Sequence, residues 1–448
     1  MAKLFGTDGV RGIVNNDLTV DLALKLGVSV AHVIKNELKK HKLTFLIGSD
    51  TRISKDMLTS AVSAGVLSEG CNIINVGVLP TPAISYLVTK YETDGAFIIS
   101  ASHNPSKYNG IKVLDKNGFK LTEELEEKVE DFLLNNFEFN TVVNENGKII
   151  EKNGALDEYV NHLTDTIDCD ISGLKIVVDT AHGAAYETAD RLFNKLDASY
   201  KIINNEPDGI NINENAGSTH IEGLVKEVVE GGYDIGIAYD GDADRCILVD
   251  ELGNIIDGDY VIAICGEALR KEGKLTNNTL VGTIMSNLGL IKYCEEKKIC
   301  FEATKVGDKY VLESMLKNNY VLGGEQSGHI IFKEYANTGD GELTSLQILQ
   351  AMQKENKKLS ELAKAMKKYP QVMINVNVSK EGKENYKGNK IIEDKIQEIT
   401  EKLAGEGRIV VRPSGTENLI RVMFEGKDEE TIAYYCKELA DFIEKELH

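Results

Sequence analysis

The sequence predicts an α/β fold in which three similar mixed α/β domains with parallel-type crossovers are followed by a smaller C-terminal α+β domain. Three observations support this prediction. The chain has 448 residues, more than a single hydrophobic core normally supports, which indicates about three or four domains. A strand–helix–strand pattern occurs three times along the chain, and the C-terminal part follows a different pattern.

Each copy of the repeat opens with a strand, passes through a turn into a helix and closes with a second strand. The copies read TFLIGSD, SKDMLTSAVSAGVLSEG and CNIINVG; then GLKIVVDTAHG, AAYETADRLFNKLDA and SYKIIN; then TLVGTIMSNLG, LIKYCEEKK and ICFEATKVG. The opening strands are continuous β-branched runs, as expected for strands that are covered on both faces. Such units are the crossovers of parallel sheets, so three separated copies predict three related domains.

The C-terminal part predicts a different, smaller domain. QVMINVNV and ENLIRVMFEG have the pattern of strands, and KDEETIAYYCKELADFIEKEL has the pattern of a closing helix. Breaks in the pattern fall near residues 150, 253 and 368. We therefore predict four domains, which span residues 1–152, 153–253, 254–368 and 369–448.

The composition describes a globular protein and argues against several classes of function. The net charge of −20 disfavours general binding to nucleic acid, which needs a basic surface, although local basic pockets remain compatible with anionic substrates. No apolar run reaches the length of a membrane span, and the segment MAKLFGTDGVRG lacks a signal-peptide pattern. The seven scattered cysteines lack zinc-ligand spacing. We therefore expect a cytoplasmic protein with free thiols and neither nucleic-acid nor membrane partners.

The segment YDIGIAYDGDADRCILVD predicts a metal site. A strand ends at Asp240, and Asp242 and Asp244 follow in a Gly-containing turn before the next strand. Three carboxylates so close together repel one another unless a cation lies between them. All-oxygen ligands favour Mg²⁺, with open coordination positions for a phosphate oxygen and with Arg245 as a positive neighbour of that phosphate. A solvated acidic turn is the alternative.

A calcium loop is a second alternative for the same segment, because Glu251 stands at the twelfth position counted from Asp240. Such a loop requires Gly at its sixth position, and here that position is Arg245. The flanking segments also have the pattern of strands rather than helices, so the sequence favours Mg²⁺.

The segment VVRPSGTENLIRV offers groups that bind an anion. Ser414, Gly415 and Thr416 form a turn whose N–H groups and hydroxyls can surround a phosphate. Arg412 and Arg421 flank the turn, and guanidinium groups match phosphate with two hydrogen bonds. A β-hairpin with surface arginines is the alternative.

The segment GGEQSGH offers groups that suit sugar hydroxyls. Its paired glycines allow close approach of the backbone to a ligand. Glu325, Ser327 and His329 present hydrogen-bond donors and acceptors within a short distance. A polar turn with a structural histidine is the alternative.

The segment IISASHNPSKYNGIK ends an apolar strand with Ser102 beside His103. A Ser/His hydrolase pair is one interpretation, but no G-x-S-x-G elbow surrounds Ser102, and adjacent residues at a turn rarely face each other. The second interpretation is that Ser102 carries a phosphoryl group next to the cation, because phosphoryl transfer depends on positioning and charge neutralisation. Lys112 is close enough in sequence to share this site. An ordinary capped turn is the third.

Five segments, FGTDGVRG, SASHNP, DGDADR, GEQSGH and RPSGTE, occur in this order along the chain. Together they resemble the phosphohexomutase superfamily, and the resemblance covers the whole chain. It is greatest for the branch that acts on glucosamine phosphates, because Gln326 stands where the glucose and mannose branches usually have Met, and Ser100 precedes the serine turn. The resemblance implies four domains around a central cleft, the first three related to one another.

The resemblance also implies a role for each candidate residue. It implies a phosphoserine at position 102 whose phosphate joins the three aspartates on one Mg²⁺, with Arg11 in the N-terminal segment of the cleft. It implies that the loop at 325–329 binds the sugar and that the C-terminal turn binds phosphate. His103 and Lys112 are candidates for general acid and base. The residues in these roles are Ser102, Asp240, Asp242 and Asp244 for the metal, Glu325, Ser327 and His329 for the sugar, and Arg245, Arg412, Ser414, Gly415, Thr416 and Arg421 for phosphate.

The implied reaction interconverts glucosamine 6-phosphate and glucosamine 1-phosphate through a 1,6-bisphosphate, which also acts as primer. Its product feeds the synthesis of UDP-N-acetylglucosamine in the cytoplasm, and the resemblance is compatible with a homodimer. Two alternatives remain open from the residues. One is a phosphomannomutase/phosphoglucomutase of the same superfamily, and the other is a sugar-phosphate or Ca²⁺ binding protein without catalysis.

Overall fold

The computed structural model describes residues 4–6, 8–139, 146–403, 405–414 and 418–447. Within these ranges the strands form four sheets, of six, five, four and three strands. The first three sheets mix parallel and antiparallel pairs, and the fourth is antiparallel. The predicted fold class, three mixed α/β units followed by an α+β unit, is confirmed.

The first sheet contains the first predicted crossover. Its strands are β1 (Val10–Ile13), β2 (Thr44–Ser49), β3 (Asn72–Val78), β4 (Gly95–Ile99), β5 (Tyr108–Asp115) and β6 (Ile149–Glu151). The helices are α1 (Val20–Leu38), α2 (Lys55–Ser68), α3 (Thr81–Lys90) and α4 (Glu123–Asn135). The strand order is β1-β5-β4-β2-β3-β6, in which β2 lies parallel to β3 and β4, and β4 lies antiparallel to β5.

The second sheet repeats this arrangement. Its strands are β7 (Lys175–Asp179), β8 (Ser199–Ile203), β9 (Ile235–Tyr239), β10 (Cys246–Asp250) and β11 (Ile255–Ile256). The helices are α5 (Ala155–Thr164), α6 (Thr188–Lys195) and α7 (Glu222–Gly231). The order is β11-β10-β9-β7-β8, with β7 parallel to β8 and β9, and β9 antiparallel to β10.

The third sheet is the shortest copy. Its strands are β12 (Thr279–Thr283), β13 (Cys300–Thr304), β14 (Leu322–Gly324) and β15 (Ile330–Phe332). The helices are α8 (Gly258–Lys271), α9 (Leu288–Lys297), α10 (Asp308–Asn318), α11 (Gly341–Glu355) and α12 (Leu359–Ala363). The order is β13-β12-β14-β15, with β12 parallel to β13 and β14, and β14 antiparallel to β15.

The fourth sheet differs from the others, because all of its strand pairs among the described residues are antiparallel. Its strands are β16 (Gln371–Asn377), β17 (Gly407–Pro413) and β18 (Leu419–Gly426), in the order β16-β18-β17. The helices are α13 (Lys380–Asn385), α14 (Lys390–Lys402) and α15 (Glu429–Leu447). The closing helix α15 agrees with the sequence pattern, whereas α13 and α14 were not predicted.

The first three sheets place a loop at the same position. In each sheet a central strand leads through a turn into its antiparallel neighbour: β4 into β5, β9 into β10 and β14 into β15. These turns contain Ser102, the three aspartates and the segment 325–329, respectively. The structural repeat therefore supplies one candidate functional loop from each of three sheets.

The hydrophobic cores connect the first three sheets and leave the fourth apart. One cluster of buried side chains extends from Leu46 in β2 to Met366 after α12. The other face of the first sheet has its own cluster around Phe45 and Phe97. The cluster of the fourth sheet runs from Val376 to Leu447. The first three domains are thus packed into one body by shared apolar contacts.

All seven cysteines are free thiols. None of the helices in the described part of the chain is both long enough and apolar enough to cross a membrane.

Candidate functional site

The turns of the first and second sheets meet at Ser102. The Ser102 hydroxyl donates a hydrogen bond of 2.6 Å to Oδ2 of Asp240. Both side chains are buried. Although the two residues are far apart in the chain, the structure brings the predicted nucleophile into contact with the predicted metal ligands.

The three aspartates form one cluster. Asp240, Asp242 and Asp244 are buried, and one carboxylate oxygen of each lies within 4.8 Å of the others. The Oδ1 atoms of Asp242 and Asp244 are buried without a hydrogen-bond partner among the described residues. Burial, together with the carboxylates of Asp244 and Asp242, raises the pKa of Asp240 to about 8. Converging carboxylate oxygens, two of which lack a hydrogen-bond partner among the described residues, fit a hard divalent cation such as Mg²⁺.

We define the metal loop as residues 240–245, the turn that contains the three aspartates. A glycine in this loop allows it to approach the turn that contains Ser102. A Cβ at Gly241 would lie 2.6 Å from the carbonyl oxygen of Ser102, so a larger residue would separate the serine from the aspartates. The third sheet supports the same loop, since Gly341 N–H donates to Ala243 O at 2.9 Å and Cys246 N–H donates to Gly328 O at 3.0 Å.

Lys112 compensates part of the negative charge. Its Nζ lies 2.7 Å from Asp242 Oδ2, 3.0 Å from Asp8 Oδ2 and 3.6 Å from Asp244 Oδ2. Burial alone would lower the pKa of Lys112, but these carboxylates raise it above its ordinary value. The ammonium group therefore stays protonated, which suits a fixed positive charge better than a general base.

A second lysine extends this network of charges. Lys120 Nζ lies 2.6 Å from Asp8 Oδ1 and 2.6 Å from Asp308 Oδ2. Asp8 also pairs with Arg11, which places the predicted cleft arginine at the edge of the network. Although burial opposes it, Lys112 and Lys120 hold the pKa of Asp8 well below its usual range.

His103 lies next to the nucleophile but is not aligned with it as a hydrolase base. Its Nδ1 is 3.4 Å from Ser102 Oγ, whereas the hydroxyl bonds Asp240 at 2.6 Å. Burial and the guanidinium groups of Arg245 and Arg11 lower the pKa of His103 to about 4. The imidazole is therefore neutral at neutral pH, and both arginines lie close to the Ser102 turn.

The residues predicted to bind sugar share one tight turn, in which Glu325 N–H donates to His329 O at 3.0 Å, but their side chains differ in exposure. Glu325 Oε1 accepts a hydrogen bond of 2.9 Å from Gly307 N–H, and Ser327 is exposed at the tip of its turn. His329 is instead buried, with Nδ1 3.7 Å from Asp244 Oδ2, and Nε2 accepts the N–H of Gly339 at 3.0 Å. The structure thus places His329 against the charged network, and its predicted contact with sugar stays a prediction.

The phosphate-binding candidates of the fourth sheet face each other across two strands. Arg412 in β17 is the register partner of Arg421 in β18, and Ser414 N–H donates to Leu419 O at 2.9 Å. Gly415 and Thr416 lie outside the described residues. Burial and Arg421 lower the pKa of Arg412, whereas the Glu325 carboxylate opposes this change.

The Glu325 carboxylate affects the pKa of arginines in two other domains. It contributes to the raised pKa of Arg245, although burial acts in the opposite direction and Asp244 and Asp240 contribute more. Glu325 is therefore within electrostatic reach of one arginine from the second domain and one from the fourth. The calcium-loop alternative receives no support, since Glu251 accepts a hydrogen bond of 2.6 Å from Ser360 Oγ and is not part of the aspartate cluster.

The sequence interpretation missed several residues of the site. Thr81 donates to Asp242 Oδ2 at 2.5 Å, and its N–H donates to Asp242 O at 2.9 Å. Asp8 lies in the quoted segment FGTDGVRG but was given no role, and Lys120 and Asp308 were not singled out. The position of Thr81 between two prolines in LPTPA was a signal that could have identified it. Lys120 and Asp308 lie too far apart in the sequence to be paired without a structure.

The chain matches four family models over most of its length. They are described as phosphoglucomutase/phosphomannomutase alpha/beta/alpha domains I, II and III and the C-terminal domain, and they match residues 2–139, 157–253, 257–369 and 373–442.

Curated proteins of similar sequence share one name. Phosphoglucosamine mutase of Clostridium novyi (strain NT) is 51% identical over 447 residues, which cover 99% of each chain. Phosphoglucosamine mutase of Alkaliphilus oremlandii (strain OhILAs) is 50% identical over 450 residues and all of both chains.

Solved structures show the same fold at lower identity. A phosphoglucomutase/phosphomannomutase family protein from Burkholderia thailandensis matches with a TM-score of 0.82 at 20% identity, covering 99% of this chain and 97% of that one. N-acetylphosphoglucosamine mutase of Aspergillus fumigatus, solved in complex with GlcNAc-6P and magnesium, matches with a TM-score of 0.70 at 16% identity, covering 98% and 95%.

Proposed function

The chain belongs to the phosphoglucosamine mutases of the phosphoglucomutase/phosphomannomutase family, and we propose that it interconverts glucosamine 6-phosphate and glucosamine 1-phosphate. It is thus an intramolecular phosphotransferase. The observation that carries the proposal is the 2.6 Å contact between the Ser102 hydroxyl and Asp240 within a buried cluster of three carboxylates. Such a cluster suits phosphoryl transfer, where charge must be neutralised at a fixed position.

The reaction proceeds by two phosphoryl transfers at one serine. Phosphorylated Ser102 donates its phosphoryl group to the free hydroxyl of the sugar monophosphate, so that the Ser102 O–P bond breaks and a sugar O–P bond forms. The resulting 1,6-bisphosphate turns over within the cleft. Its other phosphoryl group then returns to Ser102, which regenerates the phosphoenzyme and releases the isomeric monophosphate.

The acidic cluster is the proposed Mg²⁺ site. Asp240, Asp242 and Asp244 would hold the ion, which supplies charge neutralisation for the phosphoryl oxygens when it is bound. Lys112 stays protonated beside Asp242 and balances the remaining charge of the loop. Because Ser102 is within hydrogen-bond distance of Asp240, the same loop can serve both transfers.

Two groups are candidates for handling the proton of the attacking hydroxyl. His103 is neutral at neutral pH and adjacent to Ser102, so it can accept a proton. Lys112 is the weaker candidate as a base because its neighbours keep it charged. We therefore propose that Lys112 acts electrostatically and that His103 assists proton transfer, near the guanidinium groups of Arg11 and Arg245.

The arginine pair of the fourth domain is proposed to hold the phosphate that is not reacting. Arg412 and Arg421 are register partners next to the Ser414 turn, and Gly415 and Thr416 are predicted to complete that turn. Glu325 and Ser327 are proposed to hold the sugar between this phosphate and the metal loop. The 3.0 Å hydrogen bond from Cys246 N–H to Gly328 O joins the turn that carries Glu325 and Ser327 to the strand that follows the aspartates, which supports this arrangement.

The sugar preference separates this proposal from the alternative within the family. Initial rates are measured with Mg²⁺ and a hexose 1,6-bisphosphate primer on the 6-phosphates of glucosamine, glucose and mannose. We expect the highest kcat/KM for glucosamine 6-phosphate. A preference for glucose or mannose phosphate would instead assign the chain to the phosphoglucomutase/phosphomannomutase activity, and no turnover of any of the three would favour a binding protein. The product suits the synthesis of UDP-N-acetylglucosamine, for which a cytoplasmic location is proposed.

A further inference from the structure

We infer that Arg52 and Asn213 are positioning residues that hold the backbone of the nucleophile Ser102 between the first and second domains. The inference rests on the proposed function of Ser102 and deepens it. Neither residue belongs to the aspartate cluster. Their polar groups point instead to the backbone of the serine loop, which we define as residues 100–108.

Arg52 is fully buried and directs its guanidinium group at the serine loop. Nη2 donates to the carbonyl oxygens of Ser102 at 2.9 Å and Asn104 at 2.7 Å. Nη1 donates to the carbonyl oxygens of Pro105 at 2.7 Å and Tyr108 at 3.1 Å. One side chain thus binds four carbonyl groups of a single loop, which a lysine with its single nitrogen could not reproduce.

The same arginine also controls the N–H of Ser102 through two further residues. Arg52 Nε donates to Asp50 Oδ2 at 2.9 Å, and Ser100 Oγ donates to the same oxygen at 2.7 Å. Ser100 Oγ in turn accepts the N–H of Ser102 at 3.0 Å. These contacts close a ring in which one buried ion pair holds both the N–H and the C=O of the nucleophile.

Asn213 adds the contact from the second domain. Its Nδ2 donates to Ser102 O at 2.9 Å and to Asn104 O at 3.2 Å. The backbone N–H of Asn213 donates to Ala181 O at 2.9 Å. A Cβ at Gly241 would lie 2.8 Å from this Nδ2, so the amide sits where the serine loop and the metal loop come closest.

The backbone conformation of Ser102 explains why the contacts from Arg52 and Asn213 are needed. Ser102 has a φ of 51°, in the left-handed region that residues with a Cβ seldom adopt. Such a conformation persists only when several neighbouring groups fix it. In this conformation Ser102 Oγ reaches Asp240, and displacing a reacting group by about 1 Å can cost about a hundredfold in rate.

Asn213→Gly is the primary test, because glycine tolerates the φ of 60° at this position while the donor is lost. Asn213→Asp keeps the shape of the side chain and also lacks the donor. Asn215→Gly is the matched control: Asn215 lies in the same loop with a φ of 49°, is exposed, and has no hydrogen bond to the serine loop.

We expect Asn213→Gly and Asn213→Asp each to lower kcat by about tenfold to a hundredfold. KM for glucosamine 6-phosphate should change less than about twofold, because Asn213 acts on the loop and does not bind the sugar. The thermal midpoint of Asn213→Gly should fall by only about 2–4 °C relative to Asn215→Gly, because the two lost hydrogen bonds stabilise one loop of a large chain. Wild-type kcat in Asn213→Asp, or equal kcat in the two glycine variants, would overturn the inference.

Amide hydrogen exchange in the serine loop provides a readout that does not depend on the reaction. Exchange at residues 102–108 should be at least about tenfold faster in Asn213→Gly than in Asn215→Gly, since a lost donor lowers the local opening energy. Equal exchange would overturn the inference whatever the substrate is. If the wild-type chain shows no mutase activity while exchange still differs between the two glycine variants, the result counts against the proposed function and not against this inference.

Arg52→Lys tests the contacts that Arg52 makes with the backbone of the serine loop. The variant keeps a positive charge next to Asp50 but loses most of the contacts with carbonyl groups, so kcat should fall by at least about a hundredfold. Wild-type kcat in this variant would contradict the role of Arg52. If Arg52→Lys does not fold, the two Asn213 variants still decide the inference.

Discussion

The proposed nucleophile site and the proposed phosphate-binding pair differ in how the fold holds them. Ser102, Asp240 and Lys112 are buried, and the first three domains that carry them share one continuous hydrophobic cluster. Arg412 and Arg421 lie on the fourth sheet, whose hydrophobic cluster is its own. The groups proposed to react are thus held by the main body, while the proposed second anion site belongs to a unit with its own hydrophobic cluster.

The polar contacts between the two units concentrate around one buried carboxylate. Glu425 Oε2 accepts the N–H of Leu288 at 3.1 Å and a bond of 2.6 Å from Arg408 Nη2. Its other oxygen accepts Asn287 Nδ2 at 3.2 Å, and the same nitrogen donates to Tyr369 O at 3.0 Å. The difference in packing between the main body and the fourth domain suits the proposed reaction. Phosphoryl transfer needs reacting groups at fixed positions, whereas the groups that bind the second phosphate of the bisphosphate must be able to release it.

The largest effect is expected at the fixed centre. Ser102→Ala removes the hydroxyl that is proposed to carry the phosphoryl group, so turnover of glucosamine 6-phosphate should fall by at least about a thousandfold. Ser106→Ala, in the same loop, is the control and should retain wild-type activity. Thermal melting should be similar for both variants. Substantial turnover by Ser102→Ala would show that Ser102 does not carry the phosphoryl group. The comparison between the main body and the fourth domain would then lose its basis.

Lys112→Met tests whether the charge balance of the centre is as important as its nucleophile. Loss of the ammonium removes its contacts of 2.7 Å with Asp242 and 3.0 Å with Asp8, although Asp8 keeps its pairs with Lys120 and Arg11. We expect kcat to fall by about a hundredfold and the half-saturating Mg²⁺ concentration to change. Lys107→Met, at an exposed position, is the control; equal kinetics of the two variants would contradict the electrostatic role.

Arg412→Lys tests the fourth domain and should affect binding more than chemistry. Lysine keeps the charge but loses the two-pronged hydrogen bonding of guanidinium. KM for the sugar phosphate should therefore rise by about tenfold, and kcat should change by less than this factor. The exposed Arg191→Lys is the control. A fall in kcat without a change in KM would place Arg412 in the chemical step and would weaken the distinction between the two regions.

Glu425→Gln should have the smallest effect, which is on stability. The substitution removes the charge that pairs with Arg408 and weakens the contact with Leu288. We expect a loss of about 1–2 kcal/mol, confined to the unfolding of the fourth domain. Calorimetry of the whole chain measures this as a shift in one transition. A shift of all transitions together would show that the fourth domain unfolds with the main body.

The sequence predicted those parts of the site that lie within single segments. Ser102 and the three aspartates were found because each group follows a strand at the end of which ligands gather. Arg52, Asn213 and Thr81 were not found, because their partners lie far away in the chain and only the fold brings them together. Nothing in the sequence indicated that His329 is buried beside Asp244, and its predicted contact with sugar stays a prediction.

The fold itself was predictable to a similar degree. Continuous β-branched runs identified the crossovers of the first three sheets. Helix α14 carries Ile392, Ile396 and Ile399 at helical spacing, a signal that the sequence interpretation did not use, whereas α13 spans only six residues. The predicted ends of the domains at residues 152, 253 and 368 stay predictions, since a shared core does not divide at single residues.

The central claim is that Ser102 exchanges phosphoryl groups with the sugar next to a cation held by the aspartates. The most direct measurement incubates the chain with ³²P-labelled glucosamine 1,6-bisphosphate and Mg²⁺, then maps the label by peptide mass spectrometry and chases it with unlabelled glucosamine 6-phosphate. We predict label on Ser102 that moves to sugar during the chase at a rate no slower than kcat. Label on another residue, or turnover without any labelled protein, would contradict the claim.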